Sequence, residues 1–204
     1  MARTQAERRA DTRDRLLRAA AARFAAEGIE RASIDAIADD ADRTSGSIYA
    51  HFGSKEGLLT ALVESWKNDV VVAATAEMSA APTTEERLAA IWRNFSEPPG
   101  DGARWLQLEH ELWLYATRHA DERDRLAQRY RDVWQQVRDE LSAWRATGEI
   151  DPPVPDDALG PLLVALLIGL EMQHRLDPDA VDDDVALAGL AALLGTRINT
   201  EVPR

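Results

Sequence analysis

The chain has 204 residues, which suits one large domain or two small ones. Its 24 basic and 36 acidic residues give a net charge of −12, so the chain as a whole does not resemble a nucleic-acid binder. The absence of cysteine excludes disulfides, thiolate zinc sites and cysteine nucleophiles. We find no secretory signal and no apolar run long enough for a bilayer, and expect a cytoplasmic protein without membrane contact.

The charge is divided unevenly along the chain. Residues 1–60 hold ten basic and ten acidic groups, whereas residues 61–204 hold 14 basic and 26 acidic groups. The first 18 residues contain six arginines against three acids. This asymmetry indicates a front part that can approach a polyanion, and the alternative is chance variation in a highly charged surface.

A hydrophobic period of about 3.6 residues runs through almost the whole chain and predicts an all-α fold of about nine helices without a sheet. The predicted helices are, in chain order, 11–27, 34–41, 45–50, 54–79, 84–97, 103–120, 121–148, 157–176 and 182–198. Gly28 is predicted to stop the first helix. Leu58, Leu59, Leu62, Trp66 and Val70 are predicted to form the core stripe of the fourth.

The segment from Ser33 to Phe52 predicts a helix-turn-helix, because two short helices flank a three-residue turn at 41–43. Ile37 and Ile48 are predicted to point into the core, and the small Ala38 allows the two helices to pack closely. The residues predicted to face outward from the second helix are short or polar and suit a major groove: Ser45, Gly46, Ser47 and Tyr49.

Candidate phosphate contacts surround this segment. Three predicted helix caps mark helix starts that offer free N–H groups to a phosphate: Ser33, Thr44 and Ser54. Three further side chains can donate hydrogen bonds to phosphate oxygens: Tyr49, His51 and Lys55. Lys55 lies in the first turn of its helix, where a cation is unfavourable next to the helix dipole. An external anion bound there would explain why a lysine occupies this position. The N-terminal arginines predict either a DNA-contacting arm or a solvated tail: Arg3, Arg8, Arg9 and Arg13.

From Thr12 to about Glu64 the sequence resembles the tetracycline-repressor (TetR) family of transcriptional regulators. The residues that carry the resemblance are Phe24…Gly28, Ile37-Ala38, Gly46-x-Ile-Tyr49 and His51-Phe52-x-Ser54-Lys55-Glu56. The resemblance implies an arm and DNA-binding domain over residues 1–57, an effector-binding and dimerisation domain over 58–204, and a linking helix at 54–79.

The chain departs from the family pattern in two places. Asp42-Arg43 stands where the family usually has Gly-Val, and Ser45 stands where it usually has Lys. Asp tolerates a left-handed backbone better than most residues, so we expect the turn to survive. Arg43 thereby becomes a candidate contact to the DNA backbone.

The aromatic residues concentrate after residue 60, and all six tryptophans lie there. Trp105, Glu109 and Trp113 are spaced at four residues and share one helix face. The resemblance implies a small-molecule pocket in this part of the chain, and we predict that it is lined by Trp92, Trp105, Glu109, Trp113, Trp134 and Met172. A carboxylate between tryptophans can hold a cationic ligand. The alternatives are a filled core for the aromatic residues, and a salt bridge or plain exposure for Glu109.

The helices at 157–176 and 182–198 carry more apolar surface than one chain can cover. They predict a four-helix seam between two copies, with contacts from Leu162, Leu166, Gly169, Gln173, Leu190 and Leu194. In such a dimer, two copies of the predicted helix-turn-helix would match the two-fold symmetry of a palindromic site.

We find no nucleophile elbow, phosphate-binding glycine loop or metal-ligand set, and expect neither an enzyme nor a cofactor or metal. The sequence therefore predicts a homodimeric repressor that binds a palindromic operator in double-stranded DNA and is released by a small-molecule effector. The alternative is a helical ligand-binding or scaffold protein whose head no longer reads DNA, with Asp42 as its main support.

Overall fold

The computed structural model describes residues 4–98 and 102–197, apart from the side chains of 66–76, 78, 79 and 102–105. These residues form nine helices and no strand, which confirms the predicted all-α class. In chain order the helices are α1 Gln5–Glu27, α2 Ile34–Asp40, α3 Ser45–Phe52, α4 Lys55–Ala80, α5 Thr84–Ser96, α6 Gly102–Ala116, α7 Ala120–Ala146, α8 Asp156–Leu176 and α9 Asp183–Leu194. The described part of the chain does not include Arg3 or Ile198, nor the side chains of Trp66, Val70 and Trp105.

Helix α1 begins six residues earlier than predicted. The Thr4 hydroxyl accepts a hydrogen bond from the Glu7 N–H at 3.2 Å, and the Glu7 carboxylate accepts one from the Thr4 N–H at 2.7 Å. This reciprocal capping box stabilises the new N-terminus by satisfying two N–H groups that have no partner within the helix. Arg8 and Arg9 are therefore helical residues, as Arg13 was predicted to be, and the alternative of a solvated tail is wrong for Arg8 and Arg9. The contact of these arginines with DNA stays a prediction.

The chain divides into two compact units, of which the first spans Met1–Val72 and Gly100–Arg123. Its core contains the predicted residues Ile37 and Ile48, both without exposed surface, and Ala38 at 1% exposure. Leu108 and Leu112 of α6 join the same core, because α6 packs along α1. Burial of each large side chain stabilises the unit by about 1.5–3 kcal/mol. We call α1, α2 and α3 the reading head.

The second unit spans Ala73–Pro99 and Asp124–Arg204, with α5, α8 and α9 packed on one another. Gly160 of α8 lies so close to α7 that a Cβ there would come within 2.5 Å of the Trp134 carbonyl oxygen. Only glycine permits this backbone approach. Helix α9 ends at Leu194, short of the predicted Ile198, because Gly195 adopts a left-handed conformation with φ of 64°.

Helix α8 is more apolar along its length than the sequence analysis allowed. Its 21 residues make it long and apolar enough to cross a membrane on those two criteria alone. Leu159, Leu163, Leu167 and Leu170 nevertheless pack into the core of the second unit. The helix thus has the contacts of a core helix in a globular domain.

Candidate DNA interface

The turn between α2 and α3 is built around Asp42, whose φ of 54° lies in the left-handed region. The prediction that aspartate allows the turn to form is confirmed. The Arg43 N–H donates to the Ala38 carbonyl at 2.9 Å and closes the turn. The Arg43 guanidinium donates to the Asp42 carbonyl at 2.7 Å and to the Thr12 hydroxyl at 3.4 Å, so it ties the turn to α1.

Helix α3 presents a polar face, as its sequence predicts. Tyr49 is 55% exposed, whereas Ile48 is buried. Ser45 precedes Tyr49 by four residues and therefore lies on the same side of the helix, beside the exposed Gly46. The hydroxyls at the start of α3 are already engaged: Thr44 and Ser47 bond to each other at 3.2 Å, and Ser45 donates to the Asp35 carboxylate.

Two of the three predicted helix caps are confirmed. The Ser33 hydroxyl accepts from the Asp35 N–H at 3.2 Å, and the Ser54 hydroxyl accepts from the Gly57 N–H at 3.1 Å. Thr44 occupies the predicted cap position of α3, but its side chain makes no bond to the helix backbone. The cap prediction for the Thr44 side chain is therefore wrong, because this hydroxyl bonds to Ser47 instead.

Basic side chains of α1 lie near the end of α3. The Arg13 guanidinium is 5.6 Å from the centre of the Phe52 ring, and the His51 ring is 5.8 Å from it. Partial burial, and then the charges of Arg9 and Arg13, lower the pKa of His51 below its usual range. These residues thus form a positive patch, defined here as Arg9, Arg13 and His51, in which the imidazole is held neutral near pH 7.

Lys55 has a partner within its own unit. Its ammonium donates to the Glu30 carbonyl at 3.1 Å and lies 6.0 Å from the centre of the Phe24 ring. Burial lowers the pKa of Lys55. The side chain therefore braces the loop after α1, and its contact with a DNA phosphate stays a prediction.

Helix α6 is fastened to the end of α1 and the loop that follows. Gln107 donates to the Ala25 carbonyl at 3.0 Å, and Arg118 lies 3.7 Å from the Glu30 carboxylate. A Cβ at Gly28 would lie 3.0 Å from a carboxylate oxygen of Glu111, so α6 touches the loop there. The sequence does not reveal this link, because no local pattern joins residues some 80 positions apart.

The predicted pocket residues are divided between the two units. In the first, Glu109 is 5% exposed and Trp113 is exposed. In the second, Trp92 is buried: its indole N–H donates to Asp183 at 2.7 Å, and its ring meets His174 edge-on at 5.5 Å. Trp134 is half-buried and Met172 is exposed. The pocket itself stays a prediction.

The predicted seam needs one correction. Leu190 and Leu194 have no exposed surface and lie in the core of the second unit, so they are not available to a second copy. Helix α8 instead has an apolar stripe, defined here as the exposed Leu162, Met172 and Leu176 with the half-buried Gly169 between them, and α9 exposes Val185. Leu166 is half-buried against the core, and Gln173 is exposed and bonds to the Gly169 carbonyl at 3.2 Å.

In the part of the chain that the structure describes, no group of three or more His, Asp or Glu side chains is arranged to hold a metal ion. The arrangement that does stand out is a short helix, a closed turn and a second helix with an exposed polar face, flanked by arginines. This is the architecture of a helix-turn-helix DNA-binding regulator.

Comparison with known proteins identifies the family. The sequence model for bacterial regulatory proteins of the tetR family matches residues 16–62. The model for the C-terminal part of BetI-type transcriptional repressors matches residues 84–199, more than half of the chain. The chain belongs to the TetR family of DNA-binding transcriptional regulators, and its fold points to a regulator rather than an enzyme.

Solved structures share the fold. A TetR-family transcriptional regulator from Rhodococcus sp. has a TM-score of 0.78 at 21% identity, covering 91% of this chain and 99% of its own. GusR from Salmonella enterica has a TM-score of 0.77 at 23% identity, with coverages of 90% and 95%. A transcriptional regulator from Saccharomonospora viridis in complex with choline has 0.72 at 22%, with coverages of 89% and 94%. No curated protein matches the chain by sequence.

Proposed function

We propose that the chain is a cytoplasmic homodimeric repressor that binds a palindromic operator and is released by a small-molecule effector. Residues 1–57 act as the DNA-binding domain and 58–204 as the effector-binding and dimerisation domain, linked by the helix at 54–79. The observation that carries the proposal is the exposed polar face of α3 next to the positive patch.

The head can bind DNA although the chain is acidic. Residues 1–60 carry no net charge, and the arginines of α1 lie on the same unit as α3. Phosphate contacts position a reading helix, while base contacts specify the sequence. The residues proposed to contact phosphates are Ser33, Arg43, Thr44, Tyr49, His51 and Lys55. The residues proposed to face the major groove are Ser45, Gly46 and Ser47.

The apolar stripe on α8 supports the homodimer. Leu162, Met172 and Leu176 are 41%, 46% and 85% exposed, and Val185 of α9 is 47% exposed. Exposed large apolar side chains that share one helix face favour an interaction site, and a two-fold axis lets the same stripe serve both copies. A two-fold dimer would supply one reading head for each half-site of a palindrome.

The link from α6 to α1 supports release by an effector. Gln107 connects α6 to the last turn of α1, and Arg118, two residues after the end of α6, pairs with Glu30 in the loop before α2. A ligand that shifts α6 would thereby move the head. We propose a cationic effector, because Glu109 is a buried carboxylate one turn before Trp113, and one structural neighbour is in complex with choline.

The first experiment is selection of genomic DNA fragments by the purified protein, followed by sequencing and mobility-shift assays at several salt concentrations. We expect a palindromic consensus, and a log–log slope of affinity against salt that reflects released counterions. Tyr49→Ala should weaken binding while the dimer stays intact. A dimer that binds no DNA at low salt would instead support the alternative, a ligand-binding protein whose head no longer reads DNA.

The effector proposal has its own test. Operator release by choline and by uncharged analogues of similar size should be compared in the mobility-shift assay. If the effector is cationic, choline should release the operator and the uncharged analogues should not. Glu109→Gln should abolish the release by choline. Release by uncharged analogues alone would contradict the cationic assignment and leave the repressor proposal standing.

A further inference from the structure

A carboxylate of α2 lies at the start of the reading helix. Asp35 is the second residue of α2, and its side chain accepts a hydrogen bond from the hydroxyl of Ser45, the first residue of α3. Its own N–H donates to the Ser33 hydroxyl at 3.2 Å. Both the carboxylate and its backbone are thus fixed, and the residue is exposed.

The position places this carboxylate on the face that approaches DNA. Ser45 lies one turn before Tyr49, which is 55% exposed on the same side of α3. In a helix-turn-helix the N-terminal residues of the second helix contact base edges. Asp35 is bound to the first of these residues and is itself exposed, so its carboxylate lies beside the residues that are proposed to face the groove.

The charge of Asp35 limits what it can meet there. A carboxylate offers about four acceptor positions and no donor, and Ser45 occupies one of them. Guanine presents only acceptors in the major groove, and thymine presents an acceptor and a methyl group, so neither can donate to the carboxylate. Cytosine and adenine both present an amino donor, but adenine places its N7 acceptor beside that donor and would repel the second carboxylate oxygen, so cytosine is the better partner. Phosphates repel the carboxylate, so a contact of Asp35 with the DNA backbone is unfavourable.

We propose that Asp35, oriented by Ser45, is a base-reading residue that accepts a hydrogen bond from the amino group of a cytosine in each operator half-site. This inference rests on the proposed function and adds one specificity determinant to it. Arg23 holds Asp40 at the far end of α2, so the acidic residues of this helix have separate roles.

The test is selection from a random DNA library by the wild-type chain and four variants: Asp35→Asn, Asp35→Ala, Ser45→Ala and Asp39→Asn. The wild-type consensus should contain a cytosine at one position of each half-site, and its replacement should weaken binding about tenfold. Asp35→Asn should change that preference to adenine, since an amide pairs with the adenine edge. Asp35→Ala should remove the preference at that position alone, and Ser45→Ala should weaken it.

Asp39→Asn is the matched control, because it removes the same charge one turn further along α2, beyond the Ser45 contact. It should leave the consensus unchanged. If Asp35 only braces Ser45 and does not read a base, all Asp35 variants should keep the wild-type consensus while their affinity changes evenly across sequences. This result would overturn the inference about Asp35 and leave the proposed function standing. If the wild-type dimer selects no sequence, the proposed function fails as well. Circular dichroism confirms that each variant is folded.

Discussion

The guanidinium of Arg23 forms a bidentate pair with the carboxylate of Asp40. Nε lies 2.5 Å from one carboxylate oxygen and Nη2 lies 2.9 Å from the other. The same guanidinium bonds to Glu27, one turn later on α1. The end of α2 is thus fixed to α1, and the hydrogen bonds from Arg23 hold the pKa of Asp40 below its usual range.

We expect Arg23→Gln to destabilise the reading head most strongly at neutral pH. A depressed pKa means that the folded chain favours the ionised carboxylate, so the stabilisation is present above the usual aspartate pKa and is lost as the pH falls through the folded value. Thermal unfolding from neutral to acidic pH should show the wild type and Arg23→Gln converging in acid. A constant difference across that range would contradict this origin of the stability.

His51 should make operator binding depend on pH. Partial burial, and after it the charges of Arg9 and Arg13, lower the pKa of His51 in the free head. Phosphates that neutralise these arginines would raise the pKa of His51, so binding takes up a proton and affinity rises several-fold as the pH falls from about 7.5 to about 6. His51→Gln should flatten this slope, which mobility shifts at constant ionic strength would measure. An equal slope in the variant would assign the effect to another group.

Lys55→Ala distinguishes a phosphate contact from a structural brace. Loss of a phosphate contact makes the negative slope of log affinity against log salt shallower by about 0.9. Loss of the bond to the Glu30 carbonyl instead lowers the melting temperature of the head and leaves that slope unchanged. We expect both effects, because the ammonium can exchange its carbonyl partner for a phosphate. Lys55→Arg is the control that keeps the charge.

Leu162→Glu should dissociate the dimer without unfolding the chain. Leu162 is 41% exposed in the single chain, so a charge is tolerated there until a second copy would bury it. An unpaired buried charge costs about 3 kcal/mol or more, which weakens the dimer by roughly 100-fold. Sedimentation equilibrium measures this change. Gln136→Glu, an exposed position on α7, is the matched control and should remain dimeric.

Asp42→Asn should raise the affinity for DNA without loss of stability. Asparagine tolerates the left-handed φ of 54° as aspartate does, and it removes a negative charge from the turn. We expect several-fold tighter binding at low salt and a smaller gain at high salt. Asp42→Ala removes the charge but strains the backbone, at a cost of about 1–2 kcal/mol. Melting temperatures and mobility shifts of both variants separate the two contributions.

The sequence predicted the helices well because the 3.6-residue period is a local signal, present in each helix. It predicted the inward positions of Ile37 and Ile48 for the same reason. It missed the true start of α1, although Thr4 and Glu7 have the spacing of a capping box. That error also left Arg8 and Arg9 outside the predicted helix.

The remaining errors concern faces and distant contacts. A helix that is apolar nearly all round does not reveal which leucines its own chain buries, so Leu190 and Leu194 were assigned to the seam. Likewise, the bonds of Gln107 to α1 and of Ser45 to Asp35 depend on how helices pack, which no local period encodes. Such contacts determine how the candidate site is oriented.

The distribution of the tryptophans has a practical consequence for spectroscopy. All six lie beyond residue 65, so α1, α2 and α3 contain none. The intrinsic emission of the protein therefore reports on the longer helices while the reading head contributes only Tyr49. Within that signal, Trp92 at 2% exposure should emit at short wavelength and resist aqueous quenchers, whereas Trp113 at 46% should emit farther to the red and be quenched readily. Among the tryptophans whose side chains the structure describes, Trp113 is the exposed one, so the quenching of this residue reports on α6 without a label.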